Sequence, residues 1–295
     1  MSNLYYEKMN IAKNRMRTLR IGFIGAGKVG TALAFHCVRL GYEIAGIYDI
    51  NPERTQKLAN LLKIDRLSIL KSIEEVTKDS NVLFLIVPDK NIKPVFMRVK
   101  NEIAPGTILV HCAGVFGIEV FSVKGRQKFE SLAMHPLQTF LSPKQAIAVL
   151  PKSYFALDGT KKGLQFGKRF IRQLKGKAIL VTDKDRPLYH AMCVFASNFI
   201  NGLMEAAEEI GKKLGFSRRQ TIAMLMPLIK STLNNIRDRG AVASLTGPVK
   251  RGDRKTVARH IQALKANIPE IVPVYRALTR RLEAVVEQKN KRSSG

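Results

Sequence analysis

IGFIGAGKVGTALAF, residues 21–35, is an apolar run that breaks at three glycines and then resumes at helical spacing. The residues before the break, RIGFIG, read as a buried strand, and those after it, Lys28 to Leu40, as a helix. Gly25, Gly27 and Gly30 thus form G-x-G-x-x-G at a strand-to-helix turn, and Asp49 ends the next strand candidate, EIAGIYD. Each glycine has a physical use there. The first permits the turn, the second admits a diphosphate to the backbone, and the third lets helix and strand pack closely. Amides at the helix start, including those of Lys28 and Val29, would meet the anion. A carboxylate at Asp49 suits adenosine ribose hydroxyls and repels a 2′-phosphate, which leans toward NAD, while nearby Arg54 pulls the other way.

Outward from that turn the pattern alternates. NPERTQKLANLL reads as a helix with Asn51 at its N-cap and Pro52 at its first position. SIEE (72–75) is a capping box, NVLFLIV (81–87) a buried strand and GTILVHC (106–112) another. ESLAMH, YFALDG and KAILVT are three further strand candidates. Short β-rich runs between helices predict an α/β fold with a doubly wound, largely parallel Rossmann-type sheet. Val87 and Pro88 after one strand, and Ala113 and Gly114 after the next, fall where such sheets face the nicotinamide half of a dinucleotide. From about Thr182 the strand signal stops. TDKD reads as a capping box opening one long helix through Lys213, SRRQ (217–220) opens another, and 253–266 and 269–289 complete an all-helical run. The expected organisation is a basic tail at 1–18, a dinucleotide-binding domain at 19–182 and a helical substrate and dimerisation domain at 183–295.

The chain of 295 residues is 45% apolar, enough for a substantial core. Its apolar stretches are too short to cross a bilayer, and MSNLYYEKMNIAKNRMR lacks the apolar segment of an export signal, so the expected location is the cytoplasm, away from membranes. Cys37, Cys112 and Cys193 are widely spaced and unpaired by motif, which indicates neither a disulfide framework nor a metal site. The net charge of +27 attracts nucleic acid, acidic membranes or anionic metabolites. Residues 217–295 are the more basic part, yet Tyr275 is their one aromatic, so stacking platforms for single strands are missing there. No zinc finger or RNA-recognition signature occurs. A solvated basic surface without a specific nucleic-acid partner is expected.

MHPLQTF (134–140), YHAMCVFASNF (189–199) and LTGPVKRGDRKTVARH (245–260) resemble a bacterial family that joins a Rossmann-like domain to a helical C-terminal domain of formerly unknown function. That family includes a second type of ketopantoate reductase. More distantly, the N-terminal half is similar to the β-hydroxyacid dehydrogenase, pyrroline-5-carboxylate reductase and ketopantoate reductase groups. The resemblance implies NADPH or NADH as cofactor, with NADP the family's side of that choice, and a small carboxylate as substrate. Reduction of a carbonyl then needs a group that polarises the oxygen and supplies a proton, and a cation for the acid end.

Resemblance and residue types together point to His135, His190, Asn198, Arg251 and His260. His190 opens the long helix and is the expected proton donor, with Asn198 on the nicotinamide or the far end of the substrate. Dehydrogenases of the wider group carry a Lys four residues before such an Asn, and here that position is Val194. His135 follows a strand and is the rival donor. Thr246 and Gly247 offer a hydroxyl and an amide to an anion, and Arg251 a planar fork. Set against these, Pro136 marks the end of a strand, Gly247-Pro248 an ordinary turn, and Asp253 is a natural N-cap for the helix that carries His260. Three function classes follow: a reductase of a 2-oxo acid, with imine reduction as its variant; a dinucleotide-binding regulator without turnover; and a basic nucleic-acid partner. The apolar stripe of FASNFINGLMEAAEEIGKKL implies a homodimer through the helical domain.

Overall fold

The structure is a computed structural model that describes residues 19–65, 70–125 and 127–293. The expected tail at 1–18 lies outside them. The chain clusters into two compact units, one running to Val194 and the other from Phe195. The boundary therefore falls beyond residue 182, and the segment after Thr182 begins in the first unit.

Seven strands form one sheet in the order β2-β1-β3-β4-β5-β6-β7: β1 (Arg20–Ile24), β2 (Glu43–Tyr48), β3 (Val82–Leu85), β4 (Ile108–His111), β5 (Glu130–Pro136), β6 (Tyr154–Gly159) and β7 (Lys177–Leu180). All neighbours are parallel except β5 and β6. Helices α1 (Lys28–Arg39), α2 (Pro52–Leu62), α3 (Ile73–Lys78), α4 (Asp89–Val99), α5 (Pro143–Val149) and α6 (Lys161–Gln173) connect them. Side chains alternate across the sheet with a period of two. Val82 and Phe84 of β3 enter one core with Phe23, Leu33, Leu58 and Phe170, while Leu83 and Leu85 enter the other with Ile24, Phe96 and Phe121. Burial on both faces explains why these strands are unbroken apolar runs rather than alternating ones. Phe23 stacks on Phe84 with centroids 5.0 Å apart, fixing neighbouring strands in the first core.

Register decides where the rim residues stand. Ile24 pairs with Leu85, Leu85 with His111, and His111 with Ala133. β5 runs on to Pro136 past the end of β4, so it carries His135 beyond the rim of its parallel neighbours. The local signals behave as their chemistry requires. Asn51 accepts from Glu53 N at the start of α2, and Ser72 with Glu75 forms the expected capping box.

TDKD differs from expectation. Thr182 Oγ1 donates to Asp185 Oδ2 at 2.6 Å instead of capping a backbone amide, and residues Asp183–Asp185 form a short 3-10 turn. α7 then spans Arg186–Ala196, and α8 spans Asn198–Lys213. The predicted single helix is interrupted at Ser197, whose backbone (φ −135°, ψ −72°) leaves the helical region.

The second unit consists of α8, α9 (Arg218–Arg239), α10 (Arg254–Asn267) and α11 (Val272–Ser293). Ser217 and Gln220 form the capping box of α9, and Asp253 caps α10 through Thr256 N. Its interior is thin. Thr221 is the buried residue of α9, packed where Gly211 of α8 leaves room, and Leu264, Ile268 and Val272 are buried between α10 and α11. Phe199, Leu203, Met224, Leu228 and Leu233 are exposed. Among the described residues of either unit, no helix is long and apolar enough to cross a membrane.

Candidate active site

The glycine turn has the build its sequence requires. Gly25 sits at φ +111°, a conformation L side chains avoid, and a Cβ there would also strike the Ile86 carbonyl oxygen. A Cβ on Gly30 would overlap the Gly25 carbonyl oxygen, so helix and strand pack without space for one. Gly27 differs, because nothing lies within 4 Å of where its Cβ would stand. Gly27 is also the N-cap of α1, no side chain caps this end, and the first turn holds no acidic residue. The turn is thus a cradle of backbone amides at the positive end of a helix with open space above it, which fits a dinucleotide diphosphate.

Asp49 has a bracing role that its sequence did not announce. Its Oδ2 accepts from Ala26 N at 2.7 Å and its Oδ1 from Asn51 N at 2.8 Å, with Arg54 Nη1 4.0 Å from Oδ1. The carboxylate braces the turn itself, so both oxygens are engaged by the protein. A cleft of about 1220 Å³ opens beside the turn, lined among others by Gly27, Lys28, Arg54, Lys57 and Lys144, with no acidic side chain among the described residues of its wall.

Along the same rim, the segments after β3, β4 and β5 converge. Val87 and Pro88 lead into α4, with Pro88 at its N-cap and Asp89 as its first residue. Ala113 and Gly114 are buried. Gly114 leaves the space that two imidazoles fill: a Cβ there would overlap His190 and stand 3.1 Å from His135 Nε2. The two rings cross at 84° with centroids 6.0 Å apart. Asp89 is close enough to His190 for their charges to interact. The structure therefore brings together His135, His190 and Gly114, three of the residues singled out in the sequence.

Other members of this cluster were not singled out in the sequence. Tyr189 is buried and its hydroxyl lies 2.8 Å from His135 Nδ1. Burial pushes its phenol well above the usual range. Burial, helped by the charges of His190 and Arg186, lowers His135 to about 4, so its ring is neutral near pH 7. Arg186 is wholly buried, and its guanidinium donates to the carbonyls of Ala113 (3.2 Å), Ala133 (3.3 Å) and Ala156 (3.3 Å). One side chain thus ties the turn after β4 to β5 and β6. Asp183 accepts from Gly117 N at 3.0 Å and anchors the start of α7 to the same turn. The adjacency of Tyr189 to His190 was the one available sign of the first. Nothing in DRPLYH marks Arg186 as buried, because its partners are carbonyls distant in sequence.

In the helical unit, Asn198 is the first residue of α8, and Thr246, Gly247 and Arg251 lie in the connection between α9 and α10. Gly247 takes φ +92° and Arg251 is exposed. His260 Nδ1 lies 2.8 Å from the Tyr275 hydroxyl, a contact between α10 and α11. The described residues include no group of three His, Cys, Asp or Glu side chains placed to hold a metal.

Two domain models match the chain, a Rossmann-like domain over residues 7–136 and the domain of unknown function DUF2520 over residues 153–282. A Bacteroides fragilis protein provisionally described as an NADP oxidoreductase has the same fold, with a TM-score of 0.75 and 22% identity, covering 90% of this chain and 98% of its own. A Thermotoga maritima protein gives a TM-score of 0.67 at 27% identity, covering 92% and 99%. Pyrroline-5-carboxylate reductase 2 of Pongo abelii is 24% identical over 215 residues, which is 70% of this chain and 64% of that protein, so the match spans less than two thirds of that relative. The chain thus joins a Rossmann-like domain to a DUF2520 domain, the pairing that its three quoted motifs resemble.

Proposed function

We propose that this chain is an NAD(P)H-dependent reductase of a small 2-oxo acid, with 2-dehydropantoate (ketopantoate), reduced to pantoate for coenzyme A precursor synthesis, as the first substrate to test. The observation that carries the proposal is the convergence of His135 and His190 over Gly114, on the same sheet rim as an uncapped glycine turn built for a diphosphate. A nicotinamide coenzyme, when bound, supplies the hydride. His190 holds the proton that the product oxygen needs. His135, neutral near pH 7, is suited to donate a hydrogen bond to the substrate oxygen rather than a proton. Arg251, with Thr246 and Gly247, suits the carboxylate, and Asn198 and His260 are the remaining polar candidates of the helical unit. The basic wall of the cleft and the engagement of both Asp49 oxygens favour the phosphorylated coenzyme, NADPH.

The similarity to a pyrroline-5-carboxylate reductase favours a second reading, reduction of a cyclic imine with the same coenzyme. The exposed apolar side chains of α8 and α9 favour a homodimer through the helical unit, and an NAD(P)H-consuming role suits a cytoplasmic protein. The test is loss of absorbance at 340 nm with NADPH or NADH against a panel of small 2-oxo acids and cyclic imines. Turnover of ketopantoate, lowered about 100-fold in His190→Gln, is the expected result. Saturable coenzyme binding without turnover of any panel member would replace this reading by a dinucleotide-binding regulator, and absence of binding would overturn both.

A further inference from the structure

Resting on the reductase reading above, we propose that Tyr189 is a positioning residue, whose hydroxyl donates to Nδ1 of His135 and holds that imidazole as the Nε2–H tautomer with its N–H turned to the space over Gly114. A neutral imidazole has one donor and one acceptor nitrogen, and the neighbour of one decides the character of the other. At His111, the backbone makes that decision: Nδ1 accepts from Ala113 N at 3.2 Å, so Nε2 donates to the Gly117 carbonyl at 2.9 Å. At His135 the neighbour is a hydroxyl, which can give or take.

Two observations and one chemical preference give the direction. Tyr189 is buried with its phenol pushed up by burial, so it keeps its proton and that proton needs an acceptor. Among the described residues its hydrogen-bonding side-chain neighbours are His135 Nδ1 and the Cys193 thiol. An imidazole lone pair accepts far better than a thiol sulfur, so the phenol proton goes to Nδ1. Donation from Tyr189 to Nδ1 of His135 then leaves a single N–H, on Nε2. That atom is 3.1 Å from the position a Gly114 Cβ would occupy, beside His190. The reverse order would present a lone pair there, which would repel a carbonyl oxygen.

The chain has five histidines, few enough for ¹⁵N imidazole signals to be assigned by single substitutions. In the wild-type protein at about pH 7.5, well above the folded value of about 4 for His135, without substrate or coenzyme, His135 should show protonated Nε2 and bare Nδ1. Tyr189→Phe should turn this into a tautomer mixture and lower kcat about tenfold with KM unchanged within about twofold. In a His135→Gln background, Tyr189→Phe should have no further effect on kcat. Cys193→Ala removes the competing sulfur and should leave the tautomer unchanged. Protonated Nδ1 in the wild type, a tautomer flip in Cys193→Ala, or an unaltered tautomer in Tyr189→Phe would overturn the proposal. The spectra need no turnover, so failure to reduce any oxo acid would count against the reductase reading alone.

Discussion

Gly27 faces open space and Gly30 faces the Gly25 carbonyl, so one substitution made at these two positions should have opposite consequences. Gly27→Ala should leave the melting temperature within about 2 °C of wild type while weakening NAD(P)H binding by about tenfold or more, because the methyl occupies the diphosphate approach. Gly30→Ala should destabilise the chain by ~2 kcal/mol or more, because the close packing of α1 on the turn must open. Calorimetry and coenzyme fluorescence on the two variants separate the effects. Equal loss of stability at both sites would mean that Gly27 is merely structural. At this scale the sequence displayed the glycines and both rim histidines, since each residue type announces its use. It hid Arg186 and Tyr189, whose roles come from partners distant in the chain, and it did not announce that the local DIN segment forms a turn in which the Asp49 carboxylate accepts from two backbone amides.

β4 carries the clearest pH liability. His111 is fully buried, and burial lowers it to about 4 while its bond to Gly117 opposes the fall. An unfolded histidine takes up its proton near pH 6.5, whereas this folded one stays neutral until far lower pH. The unfolded chain therefore binds more protons between those values, and stability drops as pH falls through that window. Between pH 7 and pH 5 this single imidazole should cost about 2 kcal/mol, to be read from urea unfolding curves at the two pH values. His111→Gln should remove that share of the dependence and leave the share of His135, which burial also lowers to about 4, and an unchanged pH slope would show that the His111 site is hydrated. Elements themselves were readable wherever period and capping agreed, as in β3, α2 and α9. The failures lie at junctions. TDKD has the letters of a capping box, but Thr182 bonds a side chain, and the helix pattern from 186 to 213 is continuous in composition although Ser197 breaks it. The reversal between β5 and β6 had no letter to announce it, because strands buried on both faces look alike in either direction.

As a whole molecule, the chain divides its stabilisation unevenly. The sheet unit has two cores, whereas α9 presents Met224, Leu228 and Leu233 to solvent in a single 33.0 kDa chain. Sedimentation velocity should therefore find two chains associated, and Leu228→Glu with Leu233→Glu should shift the boundary to a single chain or to aggregates. A monodisperse wild-type species of one 33.0 kDa chain would count against the dimer. Strands β1 to β5 all run the same way, so every loop that leaves a C-terminal end reaches the rim of the glycine turn and the histidines. The segments that enter the strands occupy the far side, among them residues 100–107 ahead of β4, where Asn101 is exposed. A dye or surface tether coupled there would report on the protein from the side remote from its chemistry.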